Sequence, residues 1–308
     1  MNELEKSRRK RADAFAGALE RASVAFGREM ALSRYTTIGL GGPAEFLVRP
    51  RSADEIHTLL KLATAYELPV KVLGAGSNLI VSDAGVRGVV LHTAALDSIR
   101  FEEGGIVHAG AGCHFPGLVR QSVSRGLRGL EAGVGIPGSL GGVLTMNAGA
   151  YQFSIGPLID EVVAVSVDRG KVVMPRGAID FRYRASSFGR GLIVAQARLV
   201  LRPDEPAAIR ADMDERMRFR KQTQPVGVKS AGCIFKNPEG ESAGKLLDDL
   251  GLKGFSVGGA RISEVHANFI VHDGGASTAD VVGLIDAVRE RVLEKAEIEL
   301  EPEVMTWS

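Results

Sequence analysis

Three observations predict an α+β fold for this chain. Helical patterns are few and far apart, short apolar runs follow one another closely between residues 44 and 200, and glycine gathers in clusters between them. The regular alternation of strand and helix that would build a doubly wound parallel sheet is missing.

The elements follow in order. Ala12, Phe15, Ala16, Leu19, Ala22 and Phe26 recur at helical spacing, so the chain opens on a helix with one face laid on the body. Arg8, Arg9, Lys10 and Arg11 read as a solvated turn of it. Asp13, Glu20 and Arg21 interrupt what would otherwise follow as a signal segment. Strand-like runs come at Ala44 to Val48, Val70 to Leu73, Val86 to Leu91 and Val162 to Val167, with helical patterns only at Ala53 to Tyr66 and Phe115 to Ser124.

The texture changes near Pro203. A charged helix from Pro206 to Gln222 precedes a strand around Ile234, a helix from Ala243 to Leu250, strands near Val257 and Phe269, and a helix from Ala279 to Lys295. The last helix carries Val281, Ile285, Val288 and Val292 on one face, and Ser277 and Asp280 are spaced as a capping box. Ile298, Leu300 and Val304 then alternate with Glu299, Glu301 and Glu303, the period of a half-buried strand. The expected organisation is an N-terminal helical segment (1–33), a larger domain in two subdomains (34–203) and a smaller α+β domain (204–308).

Composition narrows the function. With 45% hydrophobic and 24% charged residues over 308 positions, the chain is long enough to bury a sizeable core without disulfide or structural metal. Its formal charge of +1 offers no broad basic field for nucleic acid. Cys113 and Cys233 are too few and too far apart for a disulfide framework or a cysteine zinc site, and a reducing cytoplasm is expected. No stretch approaches the ~20 apolar residues of a membrane span.

The glycine loops carry the chemistry. Gly39-Leu40-Gly41-Gly42-Pro43-Ala44 has dinucleotide-fingerprint spacing, but Pro43 leads into a strand where the fingerprint must open a helix. Gly240 to Lys245 is one residue short of a phosphate-binding Walker loop, and Leu246 supplies no hydroxyl for magnesium. Gly74-Ala75-Gly76-Ser77-Asn78-Leu79 exposes backbone N–H groups, with Ser77 and Asn78 able to add hydrogen bonds to phosphate oxygens. A tight turn after Val70 to Leu73 would explain that loop alone. The run Gly133-Val134-Gly135-Ile136-Pro137-Gly138-Ser139-Leu140-Gly141-Gly142, followed by Asn147-Ala148-Gly149-Ala150, is too glycine-rich to order without a reason. Both loops together point to a cofactor containing pyrophosphate.

These loops, with Tyr35 to Ala44, resemble the FAD-binding motifs of the UDP-N-acetylenolpyruvoylglucosamine reductases. Tyr183-Arg184-Ala185-Ser186, Ser230 to Pro238, His266 to Val271 and Leu300 to Val304 resemble that family's substrate-side motifs, and all occur in the family's order over residues 34 to 304. The resemblance implies a vanillyl-alcohol-oxidase/PCMH-type FAD-binding domain, followed by a smaller substrate domain. It implies noncovalent FAD, reduced by NADPH, whose hydride then reduces the enolpyruvyl sugar to UDP-N-acetylmuramate in peptidoglycan precursor synthesis. Only Gly189, Arg190 and Gly191 link Phe188 to the strand beginning at Leu192, so the tyrosine loop of some family members is expected to be absent. Oligomeric state is open, a monomer being compatible with everything above.

The same resemblance assigns roles. Hydride addition builds negative charge on the carboxylate side and needs a proton at the adjacent carbon. Arg184 matches the cation and Glu303 the carboxylate that assists the enolate, although Glu299, Glu301 and Glu303 by themselves read as an exposed ladder. Cys233 stands where many members carry a proton-donating serine. A thiol, with a reference pKa of ~8.5, is the stronger acid. FAD contacts are implied for Gly74 to Leu79, for Gly138, Ser139, Gly142, Asn147 and Gly149, and for Arg220, which on spacing alone shares a solvated face with Arg216, Arg218 and Lys221. Tyr151, Asn237, Lys253 and His266 match positions near the nucleotide sugar, and for each a structural role competes. Cys113-His114 raises covalent flavin attachment as a further reading. Two alternatives remain at this point: another oxidase or dehydrogenase of alcohols or hydroxy acids on the same scaffold, and a flavin-binding protein without turnover.

Overall fold

Helix α1 (Glu3–Arg21) buries Ala12, Phe15, Ala16 and Leu19, the face that its sequence spacing selects. Phe15 meets Phe46 edge-on with ring centroids 5.0 Å apart. The helical face ends earlier than its sequence pattern: Ala22 lies beyond the helix and is exposed, and Phe26 starts a strand. Of the basic turn, Arg9 and Lys10 face solvent, whereas Arg8 and Arg11 pair with Glu45 and Glu67 at 3.1 and 2.7 Å. The structure is a computed structural model and describes residues 3–150, 153–189 and 191–308.

The chain divides into two compact units, one of Met1–Met30, Ala44–Gly74 and Arg87–Asp212, the other of Ala31–Pro43, Ala75–Val86 and Met213–Ser308. The first is built on two sheets. One orders its strands as Phe26–Ala31, Pro43–Val48, Val86–His92 and Val70–Leu73, the last two parallel. The other runs Gly170–Pro175, Ile159–Ser166, Ile193–Val200, Ile106–Gly110 and Ile99–Phe101, antiparallel throughout. The central strand pair of this sheet is apolar on both faces, with Val162, Ala164, Val165, Val194, Ala195 and Ala197 all buried. Helix α2 (Ala53–Ala65) starts at Ser52, whose hydroxyl accepts the Glu55 N–H as an N-cap. Helices α3 (Phe115–Ser124) and α4 (Leu140–Thr145) complete the unit, α3 with Pro116 in its first turn, where no intrahelical donor is needed.

Helix α5 (Pro206–Thr223) carries the chain from the first unit into the second. There α6 (Ala243–Asp249) and α7 (Thr278–Ala296) enclose a core containing Ile234, Phe235, Leu247, Val281, Ile285 and Val288. The capping box of α7 forms as its spacing predicts, and Asp83 adds an acceptor for the Thr278 N–H at 3.0 Å. A small antiparallel sheet joins Ser256–Val257, Ala260–Ile262 and Ile270–Val271, while Met305–Trp307 pairs in parallel with Leu79–Val81.

Two expected strands are not regular strands. Around Ile234 there are only isolated bridges, Cys233 with Phe269 and Phe235 with Pro302. Residues 298–304 keep the expected alternation of buried Leu300 and Val304 with exposed Glu299 and Glu301, but not the ladder. Pro302 has no N–H to donate, and the Glu303 and Val304 N–H groups both converge on the Ile234 carbonyl.

Candidate active site

In the first unit, the strand Val70–Leu73 delivers Gly74 against the start of α4. A Cβ placed on Gly74 would lie 2.5 Å from Ser139 Oγ and 3.9 Å from the Gly142 nitrogen. Ser139 is 4% exposed, and its hydroxyl has no hydrogen-bond partner among the described residues. Leaving a buried hydroxyl unmade costs about 1–3 kcal/mol. A hydroxyl in that state, beside a glycine kept bare, fits a ligand oxygen better than it fits packing. Below the loop lies His92, which bonds to the Gly74 backbone. Burial, and then the nearby Arg49, push its pKa down to about 4, so the ring is neutral at physiological pH.

The far end of α4 leads to Arg184. That residue occupies the turn of a short hairpin, Phe181–Arg182 with Ala185–Ser186, in the left-handed region at φ 53°. Its Nη1 donates to the Gly149 carbonyl at 2.6 Å. Asn147 Nδ2 donates to the Arg182 carbonyl at 2.9 Å and its Oδ1 accepts the Gly156 N–H at 3.3 Å. Asn147 is thus engaged with protein on both ends of its amide, a structural role that the motif alone did not separate from cofactor contact. Tyr151 and Arg190 lie outside the described residues.

In the second unit, Gly76 has φ 62°, and a Cβ there would sit 2.0 Å from the Tyr35 carbonyl oxygen. The Gly76 carbonyl accepts the Thr37 N–H at 3.1 Å, and the Thr37 hydroxyl reaches the Ser230 carbonyl at 2.7 Å. Asn78 closes the loop on the C-terminal segment, donating from Nδ2 to the Glu303 carbonyl at 3.0 Å and accepting the Met305 N–H at its own carbonyl. The Glu303 N–H donates to the Ile234 carbonyl at 2.7 Å, which ties the backbone at Glu303 to the residue that follows Cys233. Glu301 is drawn away to Lys236, and Glu299 stays at the surface near Arg289. Only Glu303 of the three turns inward enough to be half-buried.

The two cysteines differ sharply. Cys113 is 1% exposed and desolvation raises its thiol to about 12, which makes it a packing residue, whereas Cys233 is half-buried. His114 faces solvent. On α5, Arg220 is half-buried while Arg216, Arg218 and Lys221 are exposed, so it leaves the solvated face that the spacing implied.

Asn237, Lys253 and His266 gather around α6. Asn237 Oδ1 accepts the Ala243 N–H at 3.1 Å, Lys253 pairs with Asp248 at 2.7 Å, and the His266 ring packs on Gly244. His266 Nδ1 accepts the Asn268 N–H at 3.1 Å, which puts the ring proton on Nε2. Burial, with Lys253 acting in the same direction, lowers its pKa. The result is a neutral imidazole presenting one fixed donor. Asn268 itself escaped the sequence reading. It is 3% exposed, and a lone amide between the apolar residues Ala267 and Phe269 was the available signal, since a buried amide must find partners.

Comparison with known proteins identifies the arrangement. A family model for an FAD binding domain matches residues 44–179, and one for the UDP-N-acetylenolpyruvoylglucosamine reductase C-terminal domain matches residues 224–307. A UDP-N-acetylenolpyruvoylglucosamine reductase of Moorella thermoacetica is 43% identical over 90% of this chain and 91% of its own length. The chain belongs to the UDP-N-acetylenolpyruvoylglucosamine reductase family. A second family member, from Symbiobacterium thermophilum, is 42% identical over 90% of both chains. The crystal structure of the Thermus caldophilus reductase superposes with a TM-score of 0.79 at 38% identity, covering 92% of this chain and 99% of that one. Family membership makes this chain an FAD-dependent oxidoreductase, with an α+β FAD-binding domain and a smaller C-terminal domain. Among the described residues no helix is long and apolar enough to cross a membrane.

Proposed function

We propose that the chain reduces UDP-N-acetylenolpyruvoylglucosamine to UDP-N-acetylmuramate with NADPH as electron donor, using noncovalently held FAD. The observation that carries the reading is the bond from the Glu303 N–H to the carbonyl of Ile234, the residue after Cys233, because it brings the backbone segments of a half-buried thiol and a half-buried carboxylate alongside each other in the second unit. Ser139, Gly142 and the Gly74 loop would hold FAD, with Ser77, Asn78 and Arg220 as further contacts. When bound, that cofactor supplies the hydride relay between the nicotinamide and the enolpyruvyl carbon.

The chain's own residues manage charge and proton. Arg184 holds the substrate carboxylate as negative charge builds on that side, a contribution realised mainly in the transition state. Cys233 delivers the proton to the adjacent carbon, so one hydride and one proton together saturate the double bond. Glu303 assists the enolate and its protonation. Asn237, Lys253 and the His266 Nε2–H bind the nucleotide sugar, the histidine as a neutral donor to an oxygen acceptor. Family resemblance at these positions and their geometry within each unit support the roles.

Rapid mixing tests the reading. The purified protein should carry yellow flavin that acid releases, bleach with NADPH without oxygen, and regain colour on addition of the enolpyruvyl sugar, the sugar product gaining two hydrogens by mass. Bleached flavin that ignores the sugar but is promptly reoxidised by oxygen would instead favour an oxidase.

A further inference from the structure

The Arg184 hairpin is too small to hold itself in place. Its register consists of Phe181 opposite Ser186 and Arg182 opposite Ala185, and an isolated two-stranded hairpin is marginal even when longer. Arg184 also sits at φ 53°, a left-handed conformation that is unfavourable for a residue with a Cβ. Something outside the hairpin must impose both its position and its turn.

Side-chain hydrogen bonds to the exit of α4 do so. Ser186 Oγ donates to the Thr145 carbonyl at 2.8 Å and accepts the Phe188 N–H at 3.3 Å. Asn147 ties the other strand through the Arg182 carbonyl, and Arg184 Nη1 reaches the Gly149 carbonyl between them. The hairpin is therefore stitched along its length to residues 145–149. Those residues leave the C-terminal end of the same α4 whose first turn presents Ser139 and Gly142.

We propose that Ser186 is a positioning residue for Arg184, fixing the hairpin on α4 so that the guanidinium is set before substrate arrives. This rests on the role given to Arg184 above. A hydroxyl is required because one atom must donate to Thr145 while accepting from Phe188, which an aliphatic side chain of the same size cannot do. Electrostatic stabilisation depends on donors placed in advance, so a small shift of the hairpin should cost rate rather than affinity for the cofactor.

A double-mutant cycle read in half-reactions tests this. Ser186→Ala should slow flavin reoxidation by the enolpyruvyl sugar by about 10–100-fold, the scale of a displacement near 1 Å. Flavin affinity, followed by fluorescence, and bleaching by NADPH should stay within about threefold of the parent, and Ser186→Thr should recover most of the lost rate. In an Arg184→Ala background, adding Ser186→Ala should change reoxidation by less than about twofold, because both act through one group. If the alanine variant does not fold, Ser186→Cys, with its weak donor, reports the same loss. Multiplying losses in the double variant, or a loss of flavin affinity matching the loss of rate, would overturn the inference while leaving Arg184 in its role. An Arg184→Ala enzyme that reoxidises at the parent rate would overturn both.

Discussion

Asn268 acts as a neighbouring strand for Phe235. Its Oδ1 accepts the Phe235 N–H at 2.9 Å and its Nδ2 donates to the Phe235 carbonyl at 2.8 Å, while its own carbonyl accepts the Ile234 N–H at 2.9 Å. The segment that holds Cys233 and receives Glu303 is therefore fixed by a buried amide together with isolated bridges rather than by a continuous sheet.

Asn268→Ala should destabilise the protein by roughly 2–6 kcal/mol, since it leaves a buried donor and a buried acceptor on Phe235 at about 1–3 kcal/mol each. Asn268→Asp keeps the acceptor but not the donor, and should also be destabilising. Urea unfolding measures both. A midpoint for Asn268→Ala equal to the parent's would mean that the amide is not what holds this segment.

Gly76→Ala should cost flavin before it costs fold. A Cβ at 2.0 Å from the Tyr35 carbonyl meets backbone, which cannot rotate away, and φ 62° is unfavourable for alanine as well. Displacing the loop by the ångström or more needed should weaken FAD binding by more than about tenfold, equal to about 1.4 kcal/mol. Titration of the apoprotein with FAD checks it.

His92 should make the cofactor loop acid-sensitive. Its pKa is lowered from 6.5 to about 4 by burial and then Arg49, so the folded protein resists protonation that the unfolded chain accepts. The stabilisation is complete above about pH 6.5 and is lost as pH falls toward about 4. His92→Gln, which does not titrate there, should show a smaller drop in unfolding midpoint between neutral pH and about pH 5. Equal drops in both proteins would show that the ring does not carry the effect.

How much of this was legible beforehand depended on whether the determinants were local. Helices α2, α3 and α7 were readable because the determinants of each, an amphipathic period and for α7 the caps Ser277 and Asp280, lie within a few residues of one another. Residues 298–304 misled because side-chain alternation persists where the backbone ladder does not, Pro302 and the shared Ile234 carbonyl having broken it. Likewise, Ala31–Pro43 and Ala75–Val86 join the C-terminal residues through contacts such as Asn78 with Glu303 and Thr37 with Ser230, some two hundred positions apart. No local period encodes those. At the candidate site, motifs point to Arg184, Cys233 and Glu303, whereas the partners of Ser186 and Asn268, namely Thr145 and Phe235, come from distant segments and carry no local signal.

The proton donor is the centre of the proposed chemistry, and Cys233→Ala addresses it most directly. With substrate reduction isolated by rapid mixing, the variant should still be bleached by NADPH at the parent rate. Reoxidation by the enolpyruvyl sugar should slow by about 10²–10⁴, or roughly 3–5 kcal/mol of barrier, the contribution of a positioned general acid. Cys233→Ser should fall between alanine and parent. Reoxidation of Cys233→Ala at the parent rate would contradict the assignment and leave the half-buried thiol as a packing residue.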